Sequence, residues 1–268
     1  MREKVTVVKV GGAIVEEEKP LSRLLKDFSA IPGKKVLVHG GGRSATKIAS
    51  SLGIESKMID GRRVTDGDML KVVTMVYGGL VNKNIVAGLQ ADGVNAIGLT
   101  GADIDVVRAH QRPIITKEDG RTIDYGFVGD VDKTHGEVLR VLLDAGITPV
   151  MAPLTHDGKG HLLNTNADTI ASETAKALAP YYDVTLIYSF EKKGVLSDPA
   201  DDNSVIPLIT PSYFQQLVAK GTVAGGMIPK LENAFRAINN GVKRVIITLA
   251  TAIDGKQGTI IQKENIDC

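Results

Sequence analysis

"VTVVKVGG", residues 5–12, and "KVLVHGGG", residues 35–42, are the two stretches whose reading decides the fold. Each is a short apolar run that ends in glycines. Runs of this kind, without polar alternation, read as strands buried on both faces. Similar runs occur at residues 95–99, 148–152, 184–188 and 245–249. Amphipathic stretches separate them, at residues 21–30, 43–52 and 169–179. Strand and helix in alternation imply an α/β chain whose parallel sheet is covered by helices on both sides.

The longest helical pattern starts at the cap Thr65-Asp66 and stops at Gly93. Met69, Leu70, Val73, Val76, Leu80, Ile85 and Leu89 recur along it at three- to five-residue steps, as a core-packing face requires. The pattern is also long enough to serve a subunit interface. Residues 105–130 differ: Val106-Val107-Arg108, Ile114-Ile115-Thr116 and Arg121-Thr122-Ile123 are short, with turns such as Glu118-Asp119-Gly120 between them. They predict small hairpins laid over the main sheet. No repeat, low-complexity tract or linker marks a domain break. The least arbitrary boundary lies near Asn164 to Thr169, dividing a single domain, residues 1–268, into lobes at 1–165 and 166–268.

The chain's 268 residues suffice for one large α/β domain or two modest ones, with a sizeable core. A net charge of +1 points to neither nucleic acid nor an anionic membrane. The single cysteine, Cys268, cannot form an internal disulfide, which suits a reducing compartment. No signal-peptide core follows Met1, and no segment approaches the roughly 18 uncharged apolar residues of a membrane helix. The expectation is a cytoplasmic protein without membrane or nucleic-acid partners.

Both opening strands run into glycine: Lys9-Val10-Gly11-Gly12, then His39-Gly40-Gly41-Gly42. Parallel sheets bind ligands beyond the carboxyl ends of their strands. Glycines there let backbone N–H groups approach an anion, and a helix N-terminus favours one. Gly40-x-Gly42-x-x-Ala45, with Asp60 twenty residues on, also fits a loose dinucleotide-binding fingerprint. Residues 55–59 make a poor buried strand before Asp60, however, and that reading gives Lys9 and Lys230 no role. Neither a Walker A pattern nor the H-R-D and D-F-G pair of protein kinases is present.

"GGMIPK", residues 225–230, opens another helix-like pattern, Leu231, Ala234, Phe235, Ile238. Pro229 suits the first helical position, which puts Lys230 in the first turn. A cation is unfavourable there, because that helix end carries partial positive charge. The placement makes sense if an anion normally occupies the site. Lys9, at a strand end beside Gly11-Gly12, makes sense for the same reason. With the glycine loops, the two lysines suggest a polyphosphate cradle.

Arg62-Arg63-Val64-Thr65-Asp66 supplies guanidinium forks suited to a carboxylate. Asn164-Thr165-Asn166-Ala167-Asp168 precedes an alanine-rich helix; one capping residue would serve the helix, and three polar side chains at i, i+2 and i+4 exceed that need. His39, His110, His135, His156 and His161 lack metal-ligand spacing, so no protein-bound metal is expected. Ser189 and the other serines have no evident His and Asp partners.

Taken in order, Lys9-x-Gly11-Gly12, His39-Gly-Gly-Gly42, Gly61-x-Arg63-Val-Thr65, Asn164-x-Asn166-Ala-Asp168 and Gly225-Gly-Met-x-x-Lys230 resemble the amino-acid kinase family, and within it the acetylglutamate kinase branch. The resemblance covers nearly the whole chain. It implies a three-layer αβα sandwich with a mainly parallel central sheet. It implies ATP-dependent phosphorylation of the side-chain carboxylate of an N-acyl-L-glutamate, on the route to arginine. The first lobe would hold the acyl amino acid and the second ATP. Lys9 and Lys230 would neutralise the transferring phosphoryl group, and Asp168 would orient both lysines. Backbone N–H groups at Gly11, Gly12, Gly41 and Gly42 would steady the phosphoryl group and the attacking carboxylate. Arg63 and Asn164, with Asn166 beside them, would hold the substrate. Mg²⁺ would be bound chiefly through ATP oxygens.

The family often has an apolar residue where Arg62 stands, so a second carboxylate on the acyl group, as in succinyl rather than acetyl, becomes a further expectation. It commonly has Asp after the strand at residues 184–188, where Glu191 is found here. Only four residues precede the first strand, which implies a homodimer without the extra helix of arginine-inhibited relatives. The competing readings are a related carboxylate kinase acting on N-acyl-aminoadipate, and a non-catalytic acyl-glutamate-binding regulatory module.

Overall fold

A computed structural model describes residues 2–117, 120–225 and 227–264, without the side chain of Ala13. Glu118 and Asp119 of the expected turn, Gly226 and Cys268 lie outside the described residues. Eight strands form one sheet: β1 Lys4–Val10, β2 Lys34–His39, β3 Ala96–Leu99, β4 Thr148–Met151, β5 Asp183–Phe190, β6 Leu208–Ile209, β7 Arg244–Leu249 and β8 Thr259–Ile261. Their spatial order is β6-β8-β7-β5-β1-β2-β4-β3. Pairing is parallel from β7 across to β3, while β8 runs antiparallel to β7. The six expected strands are all present. β6 and β8 were not foreseen, because two or three residues are too few to show a pattern.

Among the described residues, the longer helices that cover the sheet are α1 Glu18–Ser29, α2 Gly42–Ser51, α3 Gly67–Ala91, α4 Gly136–Asp144, α5 Ala167–Leu178, α6 Pro211–Ala219 and α7 Met227–Asn239. Helices α1 to α3 pack on one face, against Val8, Val10, Leu37, Val150 and Ile246. Helices α4 to α7 pack on the other, against Val5, Val7, Val36, Val38 and Leu186. The two-residue period of a strand sorts the side chains of β1 between these faces. The result is the expected three-layer αβα sandwich.

A second, four-stranded sheet lies beside it, ordered Leu162–Asn164, Leu154–His156, Val107–Gln111, Gly129–Thr134. Of the expected hairpins, Ile115–Thr116 pairs with Thr122–Ile123 as a small ribbon. Val107–Gln111 instead joins the second sheet, antiparallel to Gly129–Thr134.

Two expectations about α3 need correction. Leu80 belongs to the predicted core stripe but is 50% exposed. Residues Thr74–Val81 are π-helical, with a wider turn than an α-helix. The extra residue turns Leu80 outward and carries Tyr77, Val81, Ile85 and Leu89 inward. The second correction concerns membrane spans. α3 is long and apolar enough, by length and composition, to cross one. Its apolarity has a nearer use here, since eight of its side chains, from Met69 to Leu89, enter the core. Asp66 caps α3 as expected, its carboxylate accepting the Met69 N–H at 2.8 Å.

Gly126 sets how the second sheet meets the segment before α3. Its φ is +68°, and a Cβ there would lie 2.3 Å from the Thr65 carbonyl oxygen. Gly126→Ala is expected to destabilise the fold by about 2 kcal/mol or more, from the left-handed backbone and the clash together. A urea midpoint unchanged from wild type would contradict that.

Candidate active site

Lys9 lies on the β1 face shared with Val5 and Val7, the side covered by α5. It is 9% exposed. Its Nζ is 2.8 Å from Asp168 Oδ1, in the first turn of α5. The contact is an ion pair, because the carboxylate oxygen is buried without a partner of hydrogen-bonding geometry. A buried ammonium needs such a counter-charge.

β5 runs beside β1 with Lys9 opposite Tyr188. Two residues on, Phe190 faces the same way and stacks on Tyr188 at 6.1 Å. Lys9 Nζ is 5.5 Å from the Phe190 ring centroid, and Lys230 Nζ is 4.2 Å from it. The two ammonium groups are therefore no more than about 10 Å apart, the sum of those distances. Residues separated by most of the chain converge where the strand order departs from β1 in both directions, the position at which parallel sheets take ligands.

Two details differ from expectation. α7 begins at Met227, so Pro229 is its third residue and Lys230 its fourth. Lys230 still lies at the cation-unfavourable end of the helix. Asp168 pairs with Lys9 alone; among the described residues Lys230 has no ion pair and rests on Phe190 instead. An aromatic face holds a cation without neutralising it.

The glycine loops meet backbone to backbone. Gly40 N–H donates to Val10 O at 3.0 Å. A Cβ on Gly40 would lie 3.0 Å from Gly12 N, and one on Gly12 would lie 3.3 Å from both Gly41 N and Gly42 N. Gly41 is seated on the Tyr77 ring, where a Cβ would meet Cδ1 at 2.9 Å. Gly12 opens the short helix Gly12–Val15 and Gly42 opens α2. N–H groups at helix starts have no intrahelical acceptor, so both are free to meet an anion.

Two cavities share Gly42. The smaller, about 200 Å³, is lined by Gly40, Gly41, Arg62, Arg63, Asn164 and Asn166 among others. Arg63 is fixed there, donating to Gly42 O at 2.8 Å, to Thr46 Oγ1 at 2.9 Å and to Ser56 Oγ. Asn164 is 9% exposed and donates to Thr65 Oγ1 at 2.9 Å. Asn166 is the cap of α5, its Oδ1 accepting from Asp168 N at 2.8 Å and Thr169 N at 3.2 Å. Its capping role is thus real, and it also faces the cavity.

The larger cavity, about 760 Å³, is lined by Lys9, Gly11, Gly12, Arg43, Phe190, Glu191 and Lys230 among others. Glu191 accepts from Arg43 at 3.4 Å across its mouth. The donor set is cations and amide N–H groups, which suits a polyphosphate. Among the described residues no group of three or more His, Cys, Asp or Glu could hold a metal ion.

Sequence reasoning did not find Phe190, Tyr77 or Asn82. Phe190 offered no signal beyond its place at a strand end. Asn82 did: it interrupts an apolar helix face at core spacing and is 1% exposed. His39, read in the sequence only as part of its motif and as a histidine without metal-ligand spacing, is fully buried beneath the glycine loop. Burial holds its imidazole down to about 4, with Lys83 nearby adding to the effect.

The model of the amino acid kinase family matches residues 4–249. A protein of Phocaeicola vulgatus named acetylglutamate kinase is 66% identical over 263 residues, spanning 98% of this chain and 100% of its own. The crystal structure of smu.665 from Streptococcus mutans UA159 is 31% identical, with a TM-score of 0.73, over 96% of this chain and 98% of that one. An N-acetylglutamate synthase from Neisseria gonorrhoeae, solved with coenzyme A and N-acetyl-glutamate, has a TM-score of 0.79 at 26% identity; the match covers 98% of this chain and 60% of that one.

The buried imidazole couples stability to pH. Unfolded, His39 titrates at its ordinary 6.5; folded, it titrates at about 4. Between those values the unfolded state binds more protons, so stability is full above pH 6.5 and falls as pH drops towards 4. The loss should reach about 3 kcal/mol by the folded pKa. Urea unfolding at stepped pH measures it, and His39→Asn should lack this part of the acid limb.

Proposed function

The chain belongs to the amino acid kinase family, and we propose that it transfers the γ-phosphoryl group of ATP to the side-chain carboxylate of N-acetyl-L-glutamate. The product is an acyl phosphate, an intermediate suited to arginine biosynthesis. The observation that carries this reading is the meeting of Lys9 and Lys230 at Phe190, beside glycine loops that separate a small cavity from a large one. Relatives sharing two thirds of the sequence are named for this activity, which leaves the aminoadipate kinase and the regulatory module without support.

In this reading the acyl amino acid occupies the small cavity and ATP the large one. Arg63 and Asn164 hold the substrate's polar groups, with Asn166 at the edge. A carboxylate oxygen attacks the γ-phosphorus, and the bond to the ADP oxygen breaks with its electron pair leaving on ADP. A carboxylate is already a nucleophile, so no proton must be removed. The demand on the protein is alignment and charge neutralisation. Lys9 and Lys230 flank the migrating group, and amide N–H groups of Gly11, Gly12, Gly41 and Gly42 bond its oxygens. Asp168 holds Lys9 in place. Mg²⁺ fits as a passenger of the nucleotide, neutralising phosphate charge, since the cavity supplies cations and amides.

Arg62 lines the acyl-binding cavity beside Arg63. A carboxylate on the acyl group would meet its guanidinium, so N-succinyl-L-glutamate falls within reach of the same site. The long helix α3 exposes Met75 at 55% and Leu80 at 50%, and edge strand β3 exposes Ile97 at 36%. An apolar patch beside an unpaired sheet edge suits a second copy of the chain, giving a homodimer.

Lys9→Ala and Lys230→Ala should each lower kcat by roughly 10²- to 10³-fold, as for loss of one preorganised charge. ADP release over a panel of N-acyl dicarboxylates checks the substrate. Turnover of acetylglutamate carries the reading, and near-normal rates in both lysine variants refute the assigned roles. Succinylglutamate turnover should be lost selectively in Arg62→Leu if Arg62 reaches the acyl group. Light scattering should give about 57 kDa, twice the 28.5 kDa chain mass; a monomer mass would rule out the dimer.

A further inference from the structure

Asn82 and His39 are buried polar side chains with no part in the chemistry above. They form a chain whose proton positions follow from its partners. Asn82 Nδ2 lies 2.9 Å from the Val150 carbonyl oxygen, which can only accept. Asn82 Oδ1 lies 3.2 Å from Lys83 Nζ, which can only donate. The amide orientation is thereby settled. The same Nδ2 lies 3.1 Å from His39 Nε2, so this ring nitrogen must be the acceptor. His39 Nδ1 then carries the hydrogen, and it lies 2.8 Å from the Gly40 carbonyl oxygen. Space for the Asn82 amide comes from Gly98, where a Cβ would stand 1.8 Å from Oδ1.

That last hydrogen bond reaches the site. In a trans peptide the N–H points opposite to the carbonyl. A Gly40 carbonyl drawn towards His39 therefore turns the Gly41 N–H away from it. Gly40, Gly41 and Gly42 all line the small cavity. Gly40 is also tied on its other side, through its N–H to Val10 O. Without side chains to restrain them, three consecutive glycines have wide conformational freedom. The tie through His39 removes it at the first of the three.

We propose that Asn82 and His39 are positioning residues: Asn82 holds His39 in its neutral Nδ1–H form, and His39 pins the Gly40 carbonyl so that the Gly41 N–H stays aimed into the acyl-substrate cavity. The pair belongs to the layer under the site and touches no reacting atom. The proposal rests on the reading of this cavity as the acceptor site. It assigns a reason for a polar residue at core spacing in α3 and for a glycine in the middle of β3. Burial, which holds the His39 imidazole down to about 4 against the opposing pull of its bond to Gly40, keeps the ring neutral as this arrangement requires.

The test has a spectroscopic and a kinetic arm, both on the full chain. Nitrogen-15 NMR of histidine-labelled protein should show one imidazole with Nδ1 protonated and Nε2 bare. That signal should not titrate between about pH 5.5 and 8, where an ordinary histidine does, and should vanish in His39→Asn. An Nε2–H tautomer, or titration in that range, overturns the proposal whatever the substrate proves to be. In the kinetic arm, His39→Leu should lower kcat about 10- to 100-fold, the scale expected for a misplaced group. KM for the nucleotide should stay within about threefold, because the tie serves the other cavity. His39→Asn puts an amide N–H where Nδ1 stood and should recover kcat to within about threefold of wild type. Wild-type kcat in a folded His39→Leu, or equal losses in both variants, refutes the positioning role. If His39→Leu fails to fold, the tautomer and the His39→Asn rate decide. Absence of acyl-phosphate formation by the wild-type chain would instead count against the substrate reading, leaving the tautomer as the measure of this one.

Discussion

The close approach of two backbones governs this molecule. β1 and β2 end side by side, and their glycine turns touch through main-chain atoms. Any side chain at Gly12 or Gly40 would hold the turns apart, and one at Gly41 would strike the Tyr77 ring. The surface proposed to bind an anion is therefore built from main chain, whose geometry is set by the sheet beneath. The sheet is rigid because its strands are buried on both faces, so the turns inherit that rigidity.

Charge is then added to a surface already shaped. Lys9 arrives on the α5 face of β1 because its neighbours Val8 and Val10 take the other face. Asp168 arrives to meet it because Asn166, two residues before it, caps α5 and accepts its N–H. Lys230 arrives on α7 from beyond β5. Phe190 lies against both lysines, an apolar body with a negative face, and keeps two like charges close without pairing both. Asp168 pairs with one of them, so one lysine charge is left unneutralised there, as the proposed polyphosphate site would need.

The long helix α3 works from below. Its π-helical turn breaks the regular stripe and sets Tyr77 under Gly41 and Asn82 under His39. A uniform α-helix would have presented Leu80 to the core instead, leaving the glycine loop without its aromatic seat. Irregular helix geometry at this point is thus connected to the site by contact, and the same irregularity leaves Met75 and Leu80 on the outer surface.

The residue pattern alone determined the six main strands, the helices α1, α2, α3, α5 and α7, both glycine turns and all five motifs, whereas α4 and α6 were not foreseen. These are local properties: apolar period, capping chemistry and glycine at strand ends are written in neighbouring residues. The caps show it well, since Asp66 and Asn166 do what their positions announce. Tertiary structure alone decided that Asp168 serves Lys9 and not Lys230, that Phe190 lies against both lysines, that Leu80 faces out, and that Asn82 reaches His39. Each of these depends on contacts between segments far apart in the chain, and on a one-residue shift in a helix that no local preference records. Pattern specifies which elements form; only packing specifies which side chains from different elements arrive at the same place.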